Sequence, residues 1–310
     1  MGAINQTTGE AAPFPSPTQK WHDNTYPSLS PTRPELSAQG KTIAITGGGT
    51  GIGAETARQF AAAGASRIGL FGRREQPLLD TKVEIEKSFA GIEVFIASTD
   101  VASKESLESS FAKFLGDSKI DVVISGAGVT GPLDSAQDVD GQEFIQAVNT
   151  NLLGALYTAQ AFAKYAAKGA VAVNVSSSAA HVNFGTGFAS YNTAKIGAVR
   201  IWDSLAAANP ELTVFHIQPG IIDTDMNKQA GGTKAVGFED HVSLPATFSV
   251  WLASPEAHFL NRKFLWANWD VDELKARAEE IRNGPMFDLT LVGWPFEASN
   301  NYAAPWKAAR

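Results

Sequence analysis

From Lys41 onward, apolar residues fall in short, nearly unbroken runs separated by stretches of helical periodicity. The runs are TIAITG (42–47), RIGLFG (67–72), EVFIASTDV (93–101), IDVVISGAG (120–128), AVAVNVSS (170–177) and LTVFHIQPG (212–220). Continuous apolar runs of this length, rich in Val and Ile, are the signature of strands buried on both faces. Between them, GAETARQFAAAGA (53–65), PLLDTKVEIEKSFAG (77–91), SLESSFAKFLGD (106–117), the long stretch 142–168 and YNTAKIGAVRIWDSLAAAN (191–209) carry the spacing of amphipathic helices. Alternating strands and helices predict an α/β fold, a single domain with a doubly wound parallel sheet in three layers.

The pattern loosens after Gly220. Residues 223–246 are rich in Gly and polar residues and read as a long loop, a candidate lid. A helix (245–255), a last strand (262–269) and a charged amphipathic helix (271–284) follow, then an aromatic tail. At the other end, prolines at 13, 15, 17, 27, 31 and 34 bar continuous helix and central strand. Residues 1–39 are therefore expected as an extended arm, either disordered or lying over the domain or a partner subunit, with Trp21 and Tyr26 favouring docking. The chain divides into arm (1–39), domain (40–270) and C-terminal helix with tail (271–310).

Composition narrows the function classes. The 310 residues are 44% hydrophobic and carry a net charge of −7 without a basic run, which argues against nucleic acid or an anionic membrane as partner. There is no cysteine, and the five histidines lack ligand spacing, so no metal is expected. No run of 18 apolar residues and no signal-peptide pattern occurs, and MGAINQ departs from a myristoylation signal at Gln6. A soluble cytoplasmic protein is the expectation.

Two local patterns carry chemistry. The first strand runs into TGGGTGIG, with Gly47, Gly49, Thr50, Gly51, Ile52 and Gly53 leading into a helix. Glycines so placed allow a tight turn and close approach to a pyrophosphate, and the helix N-terminus offers unpaired N–H groups to an anion. The second strand ends at Gly72, where a carboxylate would hold the ribose of NAD, and Arg73 and Arg74 follow. A guanidinium binds a 2′-phosphate, so NADP(H) is the expected cofactor. Asp100 and Val101 close the third run, where an adenine could lie. In the second pattern, Tyr191 and Lys195 stand four residues apart, on one face at the start of a helix. A cation beside a phenol favours the phenolate, which makes the pair a candidate proton donor.

Taken together, TGGGTGIG, DV at 100, SGAG at 125, NLLG at 151, NVSS at 174, YNTAK at 191 and PGIIDTDM at 219 resemble the short-chain dehydrogenase/reductase family in order and spacing. The resemblance covers about 40–270. It implies a Rossmann-type sheet and an Asn-Ser-Tyr-Lys set, carried over as Asn151, Ser177, Tyr191 and Lys195. Family spacing to Tyr points to Ser178, while the local frame aligns Ser177, which is preferred. The resemblance also implies that Ala127 and Gly128 let the cofactor pass. Pro219, Gly220, Ile222, Thr224 and Met226 would lie at the nicotinamide. Two departures stand out: Ser125-Gly126 replace the family's Asn pair, questioning local stability, and Ala180-His181 replace a small residue and glycine. His181 could border the substrate or be an incidental loop histidine.

The implied reaction is reduction of a ketone or aldehyde to an alcohol, with a small-molecule substrate and a homodimer or homotetramer. The arm and tail resemble those of fungal secondary-metabolism reductases, which implies a hydrophobic, polyketide-like ketone. Phe184, Phe188, Phe238 and Trp251 are candidate pocket residues. A non-redox family member, or a non-catalytic NADP(H) sensor or scaffold, remains the alternative.

Overall fold

A computed structural model describes residues 2–183, 187–233 and 237–291. Seven parallel strands form the central sheet: β3 (Thr42–Thr46), β4 (Arg67–Gly72), β5 (Glu93–Ser98), β6 (Ile120–Ser125), β7 (Ala166–Val175), β8 (Thr213–Gln218) and β9 (Phe264–Trp266). Their order is β5-β4-β3-β6-β7-β8-β9. Every residue of β3 is buried, as a strand covered on both faces requires. Alternate residues feed opposite layers. Ile43, Ile45, Ile68, Leu70, Val122 and Ile124 enter one core. Ala44, Phe71 and Val123 enter the other, with Phe111, Phe162 and Trp202.

The first core is covered by α1 (Gly51–Ala62), α2 (Glu75–Ser88) and the helix Ser243–Leu252, whose ten residues are all buried. The second is covered by α3 (Lys104–Leu115), α5 (Gly154–Tyr165) and α6 (Ala189–Ala208). Each expected strand, from 42–47 to the last at 262–269, is present in the sheet.

Three expectations are corrected. The stretch 142–168 is not one helix. It is α4 (Gly141–Val148), a π turn at Asn149–Leu153 and α5, and β7 starts at Ala166. The charged helix at 271–284 is two short helices, Val271–Ala276 and Ala278–Asn283, broken at Arg277. The loop after β8 contains a short helix, α7 (Asp225–Gln229), capped by the Thr224 hydroxyl accepting from Asn227 N–H at 3.1 Å.

The arm is docked on its own chain. Its β1 (Ile4–Asn5) and β2 (Lys20–Trp21) pair in parallel, and Trp21, Leu29 and Leu36 are fully buried in the first core. Each such side chain contributes roughly 1.5–3 kcal/mol of hydrophobic stabilisation. Polar ties reinforce the docking. His22 meets Asp270 at 2.8 Å, its N–H donates to the Asn268 carbonyl at 2.9 Å, and Arg33 donates to Glu256 at 2.7 Å. Tyr26 stacks on the His22 ring with centroids 3.6 Å apart, and its hydroxyl accepts from Val271 N–H at 2.8 Å. Among the described residues, no helix is long and apolar enough to cross a membrane, and no group of His, Asp and Glu could hold a metal.

Candidate active site

Strand order reverses at β3, which lies between β4 and β6, so the connections leaving β3 and β6 diverge and open a crevice at their C-terminal ends. A cavity of about 1070 Å³ occupies that position. Gly47, Thr50, Gly51, Ile52 and Gly53 line it. A Cβ on Gly53 would stand 2.2 Å from the Gly47 carbonyl oxygen, so only glycine lets α1 begin this close to the turn. Gly49 faces away: its carbonyl accepts from the Thr81 hydroxyl of α2 at 3.3 Å.

The end of β6 is fixed by Thr46, a role that the sequence did not reveal. The Thr46 hydroxyl accepts from the N–H groups of Gly126 (3.1 Å) and Ala127 (3.4 Å). β3 thus ties the chain immediately after β6, next to Ser125. Ala127 and Gly128 then line the cavity.

Tyr191 lies in the first turn of α6 and Lys195 one turn later, both facing the cavity. The Lys195 ammonium donates to the Val175 carbonyl at 2.9 Å and sits 5.4 Å from the centre of the Tyr191 ring. The pair is thus anchored to the end of β7. Phe188, which precedes α6, has φ +67°, a left-handed conformation costly for a bulky residue. It also lines the cavity.

Ser177 and Ser178 both border the cavity but differ in exposure. Ser177 is half-buried, its hydroxyl accepting from Ala179 N–H at 3.2 Å. Ser178 is buried, and its N–H donates to the Gln218 side chain at 2.7 Å. Asn151 stands in the π turn, behind the wall. Its carboxamide accepts from Val129 N–H at 2.9 Å and donates to Val129 C=O at 2.8 Å, fixing a backbone that does line the cavity.

The loop after β8 closes the far side with Pro219, Gly220, Ile222, Thr224 and Met226. Met226 C=O accepts from the Thr130 hydroxyl at 3.2 Å. Asp240, also missed in the sequence, holds this loop from below. Its carboxylate accepts from Ile221 N–H at 2.7 Å and from the Asn268 amide at 2.9 Å. Burial pushes its carboxyl up to about 7, against these two hydrogen bonds. Gly220, at φ +97°, leaves the room: a Cβ there would stand 2.6 Å from the Asp240 oxygen.

Arg73 and Arg74 stand at the mouth. Arg74 reaches across to Asp225 at 3.7 Å, an exposed pair. Among the described residues, Arg73 has no ion-pair partner. Arg73 also borders a shallow neighbouring cavity of about 420 Å³, which contains Asp100. Val101 is buried beside Gly154.

One expected pocket residue, Trp251, lies elsewhere, as does His181, for which the sequence leaves both a substrate-bordering and an incidental role open. Trp251 is fully buried and donates to Glu256, because its helix is buried all round. His181 turns from the cavity to accept from the Trp266 indole at 3.1 Å. Phe184 lies outside the described residues. Phe238 does line the cavity, with Pro13 and Phe14 of the arm.

A sheet of this order with a glycine turn after its first central strand defines a dinucleotide-binding α/β protein. The family model described as short chain dehydrogenase matches residues 41–235. The chain belongs to the short-chain dehydrogenase/reductase family, oxidoreductases that use nicotinamide dinucleotides. A short chain dehydrogenase/reductase of Claviceps purpurea is 30% identical over 297 residues, covering 94% of this chain and 100% of its own. The short chain dehydrogenase/reductase AacuD of Aspergillus aculeatus is 31% identical over 280 residues, covering 90% and 96%. Among solved structures, an alcohol dehydrogenase of Thermococcus sibiricus complexed with 5-hydroxy-NADP matches with a TM-score of 0.61 at 28% identity, covering 68% of this chain and 90% of that one. Levodione reductase shares the fold, with a TM-score of 0.68 at 22% identity and coverage of 77% and 98%.

Proposed function

We propose that the protein is an NADP(H)-dependent oxidoreductase that reduces a ketone or aldehyde of a hydrophobic, polyketide-like molecule to an alcohol, reversibly. The observation that carries this reading is that Ser177, Tyr191 and Lys195 open onto the same cavity as the glycine turn and Arg73. The residues present fit the dinucleotide. Gly47, Gly51 and Gly53 bring backbone rather than side chain to the cavity wall at the turn, and the volume of about 1070 Å³ lies just above the roughly 300–1,000 Å³ range of small-ligand pockets.

In this reading, the N–H groups at the start of α1 and the glycine turn bind the pyrophosphate. Arg73 pairs with a 2′-phosphate, and Lys195 reaches the ribose hydroxyls. Pro219, Gly220, Ile222, Thr224 and Met226 flank the nicotinamide, held in place by Asp240. When bound, the cofactor supplies the hydride for the carbonyl carbon. Tyr191 gives its phenolic proton to the carbonyl oxygen, and the Lys195 ammonium stabilises the phenolate left behind. Ser177 donates a hydrogen bond to the same oxygen as charge develops there. Asn151 keeps the Val129 wall in register. The alcohol dehydrogenase of Thermococcus sibiricus, complexed with 5-hydroxy-NADP, supports the choice of cofactor. Exposed Ile145 on α4 and Ile196 on α6 support pairing of subunits through these adjacent helices.

The test is NADPH consumption with a panel of ketones and aldehydes, repeated on Tyr191→Phe. Turnover should fall by about 10²–10⁴-fold in the variant with NADPH affinity retained. A variant as fast as the wild type would overturn the assignment of Tyr191.

A further inference from the structure

The arm does more than cover the core. Phe14 is half-buried and lines the cavity, beside Pro13. One part of its ring is packed into an aromatic cluster, edge-to-face on Trp266 at 5.1 Å (65°) and on Phe238 at 5.4 Å (77°), with Trp21 at 6.2 Å. Phe238 comes from the loop that follows α7. Two segments far apart in sequence therefore meet at the rim, each bringing a phenyl ring.

The segment carrying Phe14 is held at both ends. Ile4 pairs with Lys20 in the β1–β2 ladder and bridges to Ala11, and Ala12 N–H donates to Ala3 C=O at 2.8 Å. Beyond it, Gln19 N–H donates to Glu273 at 2.6 Å. Ordering of this ring therefore occurs on folding and is not repeated when a ligand binds. Neither Phe14 nor Phe238 lies within residues 41–235, which the family model matches.

We propose that Phe14, backed by Phe238, is a specificity-determining residue that selects substrates bearing a flat aromatic ring, with the arm as an integral wall of the substrate site. This inference rests on the reductase reading above and names the substrate class for the same cavity. Rings set edge-to-face at fixed positions recognise a planar aromatic partner by quadrupole complementarity as well as by area, which a saturated ring of similar polarity does not exploit.

The experiment uses the full-length protein saturated with NADP+, with which neither ketone can be reduced, titrated by calorimetry with acetylnaphthalene and with its saturated counterpart acetyldecahydronaphthalene. Wild type should bind acetylnaphthalene more tightly. Phe14→Ala should weaken acetylnaphthalene roughly five- to tenfold while changing acetyldecahydronaphthalene less than about twofold and leaving NADPH affinity unchanged. Phe238→Ala should shift the same ratio in the same direction, and serves as the reading if Phe14→Ala does not fold. Equal affinity for the two ketones in the wild type, or an unchanged ratio in the variants with NADPH bound normally, would overturn the inference and leave the reductase reading standing. Failure of the wild type to bind NADPH would instead remove the reductase reading, and this inference with it.

Discussion

Asp240→Asn should change how stability depends on pH, and the structure sets both sign and size. Asp240 is almost fully buried, and burial is the largest influence on its carboxyl, with Asp23 and Glu239 pushing in the same direction. Its folded value is about 7, against 3.8 for the free side chain. Between these values the folded chain keeps a proton that the unfolded chain has lost. Stability conferred by the neutral acid is therefore fully present below the unfolded value and is lost as pH rises through the folded one. About three pH units at about 1.4 kcal/mol each give on the order of 4 kcal/mol across the window. Asn at 240 does not titrate and keeps one oxygen for Ile221 N–H. The assay is urea unfolding of wild type and variant in steps from about pH 5 to about pH 8, taking the difference so that other groups cancel. The variant should gain on the wild type by roughly 2–3 kcal/mol across that range. A difference constant within about 0.5 kcal/mol would refute the argument, because Asp240 would then be ionised in the folded state at every pH measured.

Ser177→Ala should lower kcat by about 10²-fold at saturating NADPH, whereas Ser178→Ala should stay within a few-fold, since the Ser178 contact to Gln218 uses its backbone N–H. Equal losses would contradict the assignment of roles to the two serines. Trp21→Ala should cost about 3–5 kcal/mol in urea unfolding, because its ring is buried between the arm and β9. A cost below about 1 kcal/mol would mean that arm docking adds little to stability.

The strands were legible because a sheet covered on both faces writes each strand as an unbroken apolar run. The glycine turn and the Tyr191–Lys195 pair were legible because their chemistry depends on local spacing, one turn of helix or one tight loop. The π turn at Asn149–Leu153 was not: helical periodicity runs through it, and the change lies in which carbonyl each N–H meets. The end of α5 was missed because Ala166-Ala167-Lys168 suits a helix locally, and pairing with β6 overrides that preference. Repeated proline showed that the arm is extended but not where it lies, since its partners, such as Asp270 and Asn268, come more than two hundred residues later. Asp240, Gln218 and Phe14 carry no motif. Each acts through long-range contacts that only the folded chain defines.

The most direct test of the central claim is a fluorescence titration of the purified protein with NADPH and NADH, repeated on Arg73→Ala. The account predicts tight NADPH binding that the substitution weakens by about tenfold or more, with NADH affinity nearly unchanged. Binding of neither dinucleotide, or equal losses for both, would contradict it.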